Sequence, residues 1–279
     1  MTKSQIFKII FFGIVLFSSI LIFGIFSASK LISFNQVQKT EIQEISFSKF
    51  VLNFLLATLF LLIVIRFVQI KKIKGAIFKT LFLIAVFFGG FISLSLWLGD
   101  FLALILIVIL IFLWTNKPLV LFQDILIFLA IAGLGSILGL GFKSQTAITL
   151  LIFFSAYDLT AVYKTKHMVE MAKAMVESKS FLGLIIPSDL SGFKEKLGNI
   201  EPGGNFLILG GGDIALPLIL CVSLVSQGFF NSLVIVFFST LGLLVNFYIF
   251  ISRKNKHPIP ALPAIAIFSI IGYLITKIL

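Results

Sequence analysis

Long apolar runs alternate with short polar stretches along the whole chain, and the runs are too long and too uniformly apolar for the faces of soluble helices. A helix that crosses the hydrocarbon core of a bilayer needs about 20 predominantly apolar residues. Nine runs predict such spans: Ile6–Phe26, Phe50–Ile70, Ala76–Leu98, Phe101–Trp114, Leu119–Leu140, Thr146–Tyr163, Phe206–Ser226, Phe229–Ile251 and Ile259–Ile278. The fourth is short, about 21 Å of helix at 1.5 Å per residue, so it spans a thinned bilayer or borrows flanking residues. Composition agrees with the pattern: 59% of the 279 residues are hydrophobic and 12% charged, against roughly 25% charged in soluble domains. The expected fold class is therefore all-α, a polytopic membrane protein of nine transmembrane helices solvated by the lipid bilayer.

The basic residues set the orientation. With the N-terminus inside and nine crossings, the inner side collects 17 of the 22 Lys and Arg, and Lys30, Lys39, Lys49, Lys143 and Lys277 stay outside. An excess of Lys/Arg marks the cytoplasmic side, so the split predicts N-terminus cytoplasmic and C-terminus outside. The net charge of +11 thus reports topology, with attraction to anionic headgroups as a secondary effect. No basic segment stands clear of the membrane with base-stacking aromatics, so no nucleic-acid partner is expected. The first apolar run exceeds the 7–15 residues of a signal-peptide core and reads as a retained helix. Cys221 is the single cysteine, which excludes an intrachain disulfide, and His167 and His257 read as solvated loop histidines; no metal and no cofactor are expected.

Three parts follow along the chain: residues 1–163 with six spans, a long inner connection 164–205, and residues 206–279 with three spans, together one integral membrane domain. The connection opens with good helix formers, YKTKHMVEMAKAMVESK, and then turns into FLGLIIPSD, an apolar, extended-looking run ending at Pro187. That run reads either as an interfacial cap on the bundle or as a lid or edge strand beside a site.

Against this background Asp158 and Asp213 stand out, because each lies inside an expected span. A carboxylate at such depth costs at least about 2.5 kcal/mol on insertion scales, and intramembrane acids mark functional sites. Asp158 lies six residues in from Lys164 and Asp213 seven in from Phe206, about 9 and 10 Å at helical rise. The two spans are consecutive and antiparallel, so both acids can share one depth, one interface and one water. Two carboxyls that close do not both ionise easily and titrate as a pair carrying one proton. One can then deprotonate water while the other protonates a scissile carbonyl. Gly210, Gly211 and Gly212 strip side chains from the approach to Asp213 and loosen the helix start. Pro217 places its ring against the carbonyl of Asp213. Asp124, near the inner start of the fifth span, reads as an acid that reaches the interface and favours a helix N-terminus. Asp100 reads as an exposed turn residue.

Tyr157-Asp158, Gly210-Gly211-Gly212-Asp213 and Pro260-Ala261-Leu262-Pro263 match in order the YD, GxGD and PAL motifs, and the chain thereby resembles the presenilin and signal peptide peptidase family of intramembrane aspartyl proteases. The resemblance implies an aspartic endopeptidase with Asp158 and Asp213 as catalytic pair. It also implies that Tyr157, the glycines 210–212, Pro260, Ala261 and Leu262 shape the site and place substrate. Its partners would be transmembrane segments of membrane-protein substrates. The inward N-terminus resembles presenilin, and the single self-contained chain resembles microbial homologues, which implies the plasma membrane of a microbe. The inner connection lacks an extended acidic or low-complexity insertion, so maturation by cutting is not implied. A cation- or proton-coupled transporter or leak channel would use the same buried acids, but it would call for repeats or a polar chain across the membrane. Prepilin peptidases also use GxGD, but their cytoplasmic cysteine clusters are absent here, and the PAL motif at Pro260-Ala261-Leu262 argues against them.

Overall fold

The computed structural model describes residues 3–38, 44–67, 71–160, 162–163, 181–200, 205–252 and 260–278. Nine α-helices are described: α1 Lys3–Gln38, α2 Phe47–Phe67, α3 Lys71–Leu98, α4 Asp100–Asn116, α5 Val120–Gly141, α6 Ser144–Thr160, α7 Gly211–Ser223, α8 Phe229–Ser252 and α9 Leu262–Thr276. Between α6 and α7 lies one two-stranded antiparallel sheet, β1 Gly183–Pro187 with β2 Phe206–Gly210. Stretches 5–34, 79–98, 120–141 and 229–252 are long and apolar enough to cross a membrane, with shorter apolar helices at 47–57, 100–116, 211–227 and 262–275. His167, His257 and the helix-forming stretch of the inner connection, 164–180, lie outside the described residues.

Each helix follows from an expected apolar run, with two differences. Helix α1 runs 36 residues, well beyond Phe26, because Ser27–Gln38 holds no Gly or Pro to stop it. The seventh run is not helical from its start: Phe206–Gly210 is a strand, and the helix begins only at Gly211. Three successive glycines carry the highest entropy cost for a helix of any residue except proline, so FLIL, left without a helical continuation, pairs with β1 instead.

The core centres on α5 and α7. α5 is the most enclosed span and packs against α1, α3 and α7 as well as β1. Its small residues make that possible. A Cβ on Gly135 would fall 2.5 Å from Leu218 Cδ2, and one on Gly139 2.5 Å from Val222 Cβ, so these glycines let α7 lie flush on α5. The tightest approach is Gly133, where a Cβ would sit 2.0 Å from the carbonyl oxygen of Gly89 in α3. Backbone cannot yield as a flexible side chain does. Gly133→Ala is therefore expected to destabilise the protein by about 1–3 kcal/mol, read as a lower thermal unfolding midpoint in detergent; an unchanged midpoint would contradict the α3–α5 contact. Outward, large apolar side chains such as Phe101, Phe112, Phe237 and Ile267 are exposed, as a lipid-facing surface requires.

Candidate active site

Asp158 is the third residue from the end of α6, and Asp213 the third residue of α7. α6 packs against both α7 and α9, and α9 against α7, so three helix ends converge there. Both carboxyls are buried, with relative exposures of 7% and 8%, and Asp213 lies within the electrostatic reach of Asp158. The backbone N–H of Leu262, at the start of α9, interacts with the Asp158 carboxyl. The N–H of Gly210, at the end of β2, interacts with that of Asp213. Asp158 Oδ2 has no hydrogen-bond partner among the described residues. A buried polar atom without a partner costs free energy.

The glycines divide the work. The Gly211 N–H donates to the carbonyl of Leu182 (2.9 Å), and a Cβ on Gly211 would stand 2.9 Å from that same oxygen. A Cβ on Gly210 would stand 3.0 Å from Asp213 Oδ2. Among the described residues a Cβ on Gly212 would meet nothing within 4 Å beyond its chain neighbours and its own helix, and Gly212 is exposed. Asp213 also sits in the first turn of α7, where unpaired N–H groups favour negative charge. Pro260, Ala261 and Leu262 are buried, Leu262 beside Asp158. Tyr157 is not brought in: one position before Asp158 on a helix, it faces away and is 58% exposed.

Two residues read otherwise in the sequence belong to this region. Asp124 does not reach the interface. It is 3% exposed, and its Oδ1 accepts the N–H of Ile185 in β1 (2.9 Å). Gln123 beside it is fully buried; its Nε2 donates to the Phe181 carbonyl, and its Oε1 accepts from Trp114 Nε1 (2.8 Å). Asp100 is exposed in the first turn of α4 as expected, after Gly99 with φ of 79°, a conformation that favours glycine.

These contacts settle which edge of the sheet is free. The Ser188 N–H donates to the Asn205 carbonyl, and Gly211 to Leu182. Antiparallel pairing alternates, so Leu184 and Ile186 turn their backbone groups toward β2, while Ile185 turns outward to Asp124. The run Phe181–Ile186 thus enters a strand only at Gly183, as β1, and the outer edge of that strand is occupied by α5. On β2 the outward groups belong to Phe206, Ile208 and Gly210. Among the described residues the N–H and C=O of Ile208 have no partner.

Fold and site together define a polytopic helical membrane protein built around a pair of interacting buried carboxyls. Residues 9–279 match the family described as signal-peptide peptidase, presenilin aspartyl protease, and the chain belongs to that family. It is an aspartic, intramembrane-cleaving endopeptidase. A solved structure of a presenilin family intramembrane aspartate protease in space group C222 superposes with a TM-score of 0.63 at 24% identity, covering 95% of this chain and 98% of that one. A second, in space group P2, gives 0.60 at 26% identity, covering 94% and 96%. The comparison with curated proteins gives no match.

Proposed function

We propose that the protein hydrolyses peptide bonds within transmembrane segments of other membrane proteins, with Asp158 and Asp213 as a water-activating dyad and with neither metal nor covalent intermediate. The observation that carries this reading is the pairing of the two buried carboxyls at adjoining helix ends. One carboxylate removes a proton from the water between them as the water attacks the scissile carbonyl. The other gives its proton to that carbonyl's oxygen. The tetrahedral intermediate then collapses as the proton passes to the leaving amine. Leu262 and Gly210 each hold one carboxyl through a backbone N–H, and Pro260 and Ala261 fix the turn that presents Leu262. Gly212 leaves the side from which substrate main chain approaches. The exposed Tyr157 belongs to the entry face rather than to the dyad.

A transmembrane helix hides its carbonyls in its own hydrogen-bond ladder, and in lipid those groups open only if other partners take over. Strand addition supplies them. The free outer edge of β2, continuous with Gly210 and Asp213, is the platform, and β1 pairs with its other edge. Nine crossings with the N-terminus cytoplasmic and the C-terminus outside, in the plasma membrane of a microbe, follow from the distribution of Lys and Arg and from the family resemblance. The division into 1–163, 164–205 and 206–279 places one acid on each side of the connection. The transporter alternative draws no support from family or neighbours.

Because only the singly protonated pair works, activity is expected to follow a bell-shaped pH profile. Metal chelators should leave it unchanged, and peptide mimics with a hydroxyl in place of the scissile carbonyl should inhibit. Asp189, in the loop after β1, does not contribute the acid limb. The Ser191 hydroxyl, then the Gly192 amide, hold its carboxyl below the usual range, so what it adds to stability is present above about pH 4 and lost only at lower pH. A monotonic profile, or inactivation by chelator that zinc reverses, would refute the dyad.

A further inference from the structure

The Gln123–Asp124 pair has no part in the dyad, yet it puts a carboxyl into the core with Oδ2 buried and partnerless, and packing alone gives no reason for one there. Its contacts are specific. Trp114 takes the Gln123 Oε1, which turns Nε2 onto the Phe181 carbonyl, and Asp124 Oδ1 takes the Ile185 N–H. Phe181 O and Ile185 N both lie on the outer edge of β1, the edge that β2 does not use. An uncovered strand edge is a template for any extended main chain. A two-stranded sheet has two such edges, and only the one on β2 runs directly into Gly210 and Asp213.

We propose that Gln123 and Asp124 are positioning residues that cap the outer edge of β1, so that substrate main chain joins the sheet only along β2 and in one register relative to the dyad. This rests on the strand-addition reading above. The pair acts through β1, without touching substrate. It holds the Phe181 carbonyl and the Ile185 N–H against α5, and β1 in turn fixes the edge of β2 that substrate joins.

The test is cleavage of a purified stable transmembrane peptide by the full-length protein in detergent, with products mapped by mass spectrometry, together with the affinity for a hydroxyl-bearing peptide mimic small enough to engage only the dyad. Asp124→Ala should lower kcat/KM for the helical peptide about 10- to 100-fold, the range in which a misplacement of about 1 Å acts, and should spread the cut over neighbouring bonds, with the affinity for the mimic within about twofold of the parent. Asp124→Asn keeps the acceptor for Ile185 and should restore both rate and cut site to within about threefold. If Asp124→Ala accumulates poorly, Gln123→Leu, which frees the Phe181 carbonyl, carries the same expectation. Parental rate and cut site in Asp124→Ala would overturn the proposal and leave the dyad intact. So would equal loss of cleavage and mimic binding, or an Asp124→Asn as impaired as the alanine variant. A parent protein that cuts no peptide would overturn the underlying reading, and the proposal with it.

Discussion

Replacing Asp158 or Asp213 by asparagine is expected to abolish peptide cleavage while the protein still folds. Asparagine has nearly the shape of aspartate, so the packing of α6, α7 and α9 around residues 7–8% exposed is preserved. What disappears is the proton inventory: one variant lacks the base, the other lacks the acid, and neither can share a proton across the pair. General acid–base catalysis by one group contributes about 10²–10⁴-fold, and the two groups act as a unit, so each single variant should lose nearly as much as the double one. Removing a buried carboxyl next to another relieves repulsion as well. Thermal unfolding midpoints of both variants should therefore equal or exceed the parent's, which separates lost chemistry from lost structure. Either variant cutting peptide at the parent rate would remove Asp158 and Asp213 from their assigned roles.

The second large effect belongs to the edge of β2. Ile208→Pro removes the middle of the outward-facing N–H groups there, between those of Phe206 and Gly210, and sets the proline ring where substrate main chain would lie. The β1–β2 ladder survives, since Leu207 and Leu209 carry it. One main-chain hydrogen bond is worth about 1 kcal/mol net, and more where water is excluded. With the added steric block, cleavage of a stable transmembrane helix should fall about tenfold or more. A substrate already weakened by Gly or Pro near the cut should lose less, and Ile208→Val should behave as the parent. Stable helices cut at the parent rate by Ile208→Pro would show that substrate is not held by strand addition at this edge. Leu262→Pro, another way to probe main-chain contacts, is less selective: the Leu262 N–H serves Asp158, so its loss perturbs the dyad together with any substrate contact.

The helical frame was legible because lipid imposes it. Apolar runs of the right length read as spans, and the basic residues read as topology. Asp158 and Asp213 were legible because a bilayer makes carboxylates costly, and the glycines before Asp213 marked where the helix fails to begin. The strand at Phe206–Gly210 was hidden, since a short apolar run reads equally as strand or helix by periodicity; only the adjoining Gly210–Gly212 hinted at a break. Asp124 was misread for a different reason. Five residues into a span, an acid reads as one that reaches the interface, and nothing nearby in sequence says otherwise. Its partner, the N–H of Ile185, lies 61 residues away, as the Phe181 carbonyl lies 58 from Gln123. Tertiary partners of buried polar groups have no local signature, so Gln123 passed without notice.

The most direct measurement is incubation of the purified protein in detergent with a synthetic transmembrane peptide, followed by intact-mass analysis of the products from the parent, Asp158→Asn and Asp213→Asn proteins. The account predicts paired fragments from the parent whose masses add up to the peptide plus one water, cut inside the apolar segment, and intact peptide from both variants. Fragments that persist in either variant, or a parent that leaves the peptide whole, would contradict it.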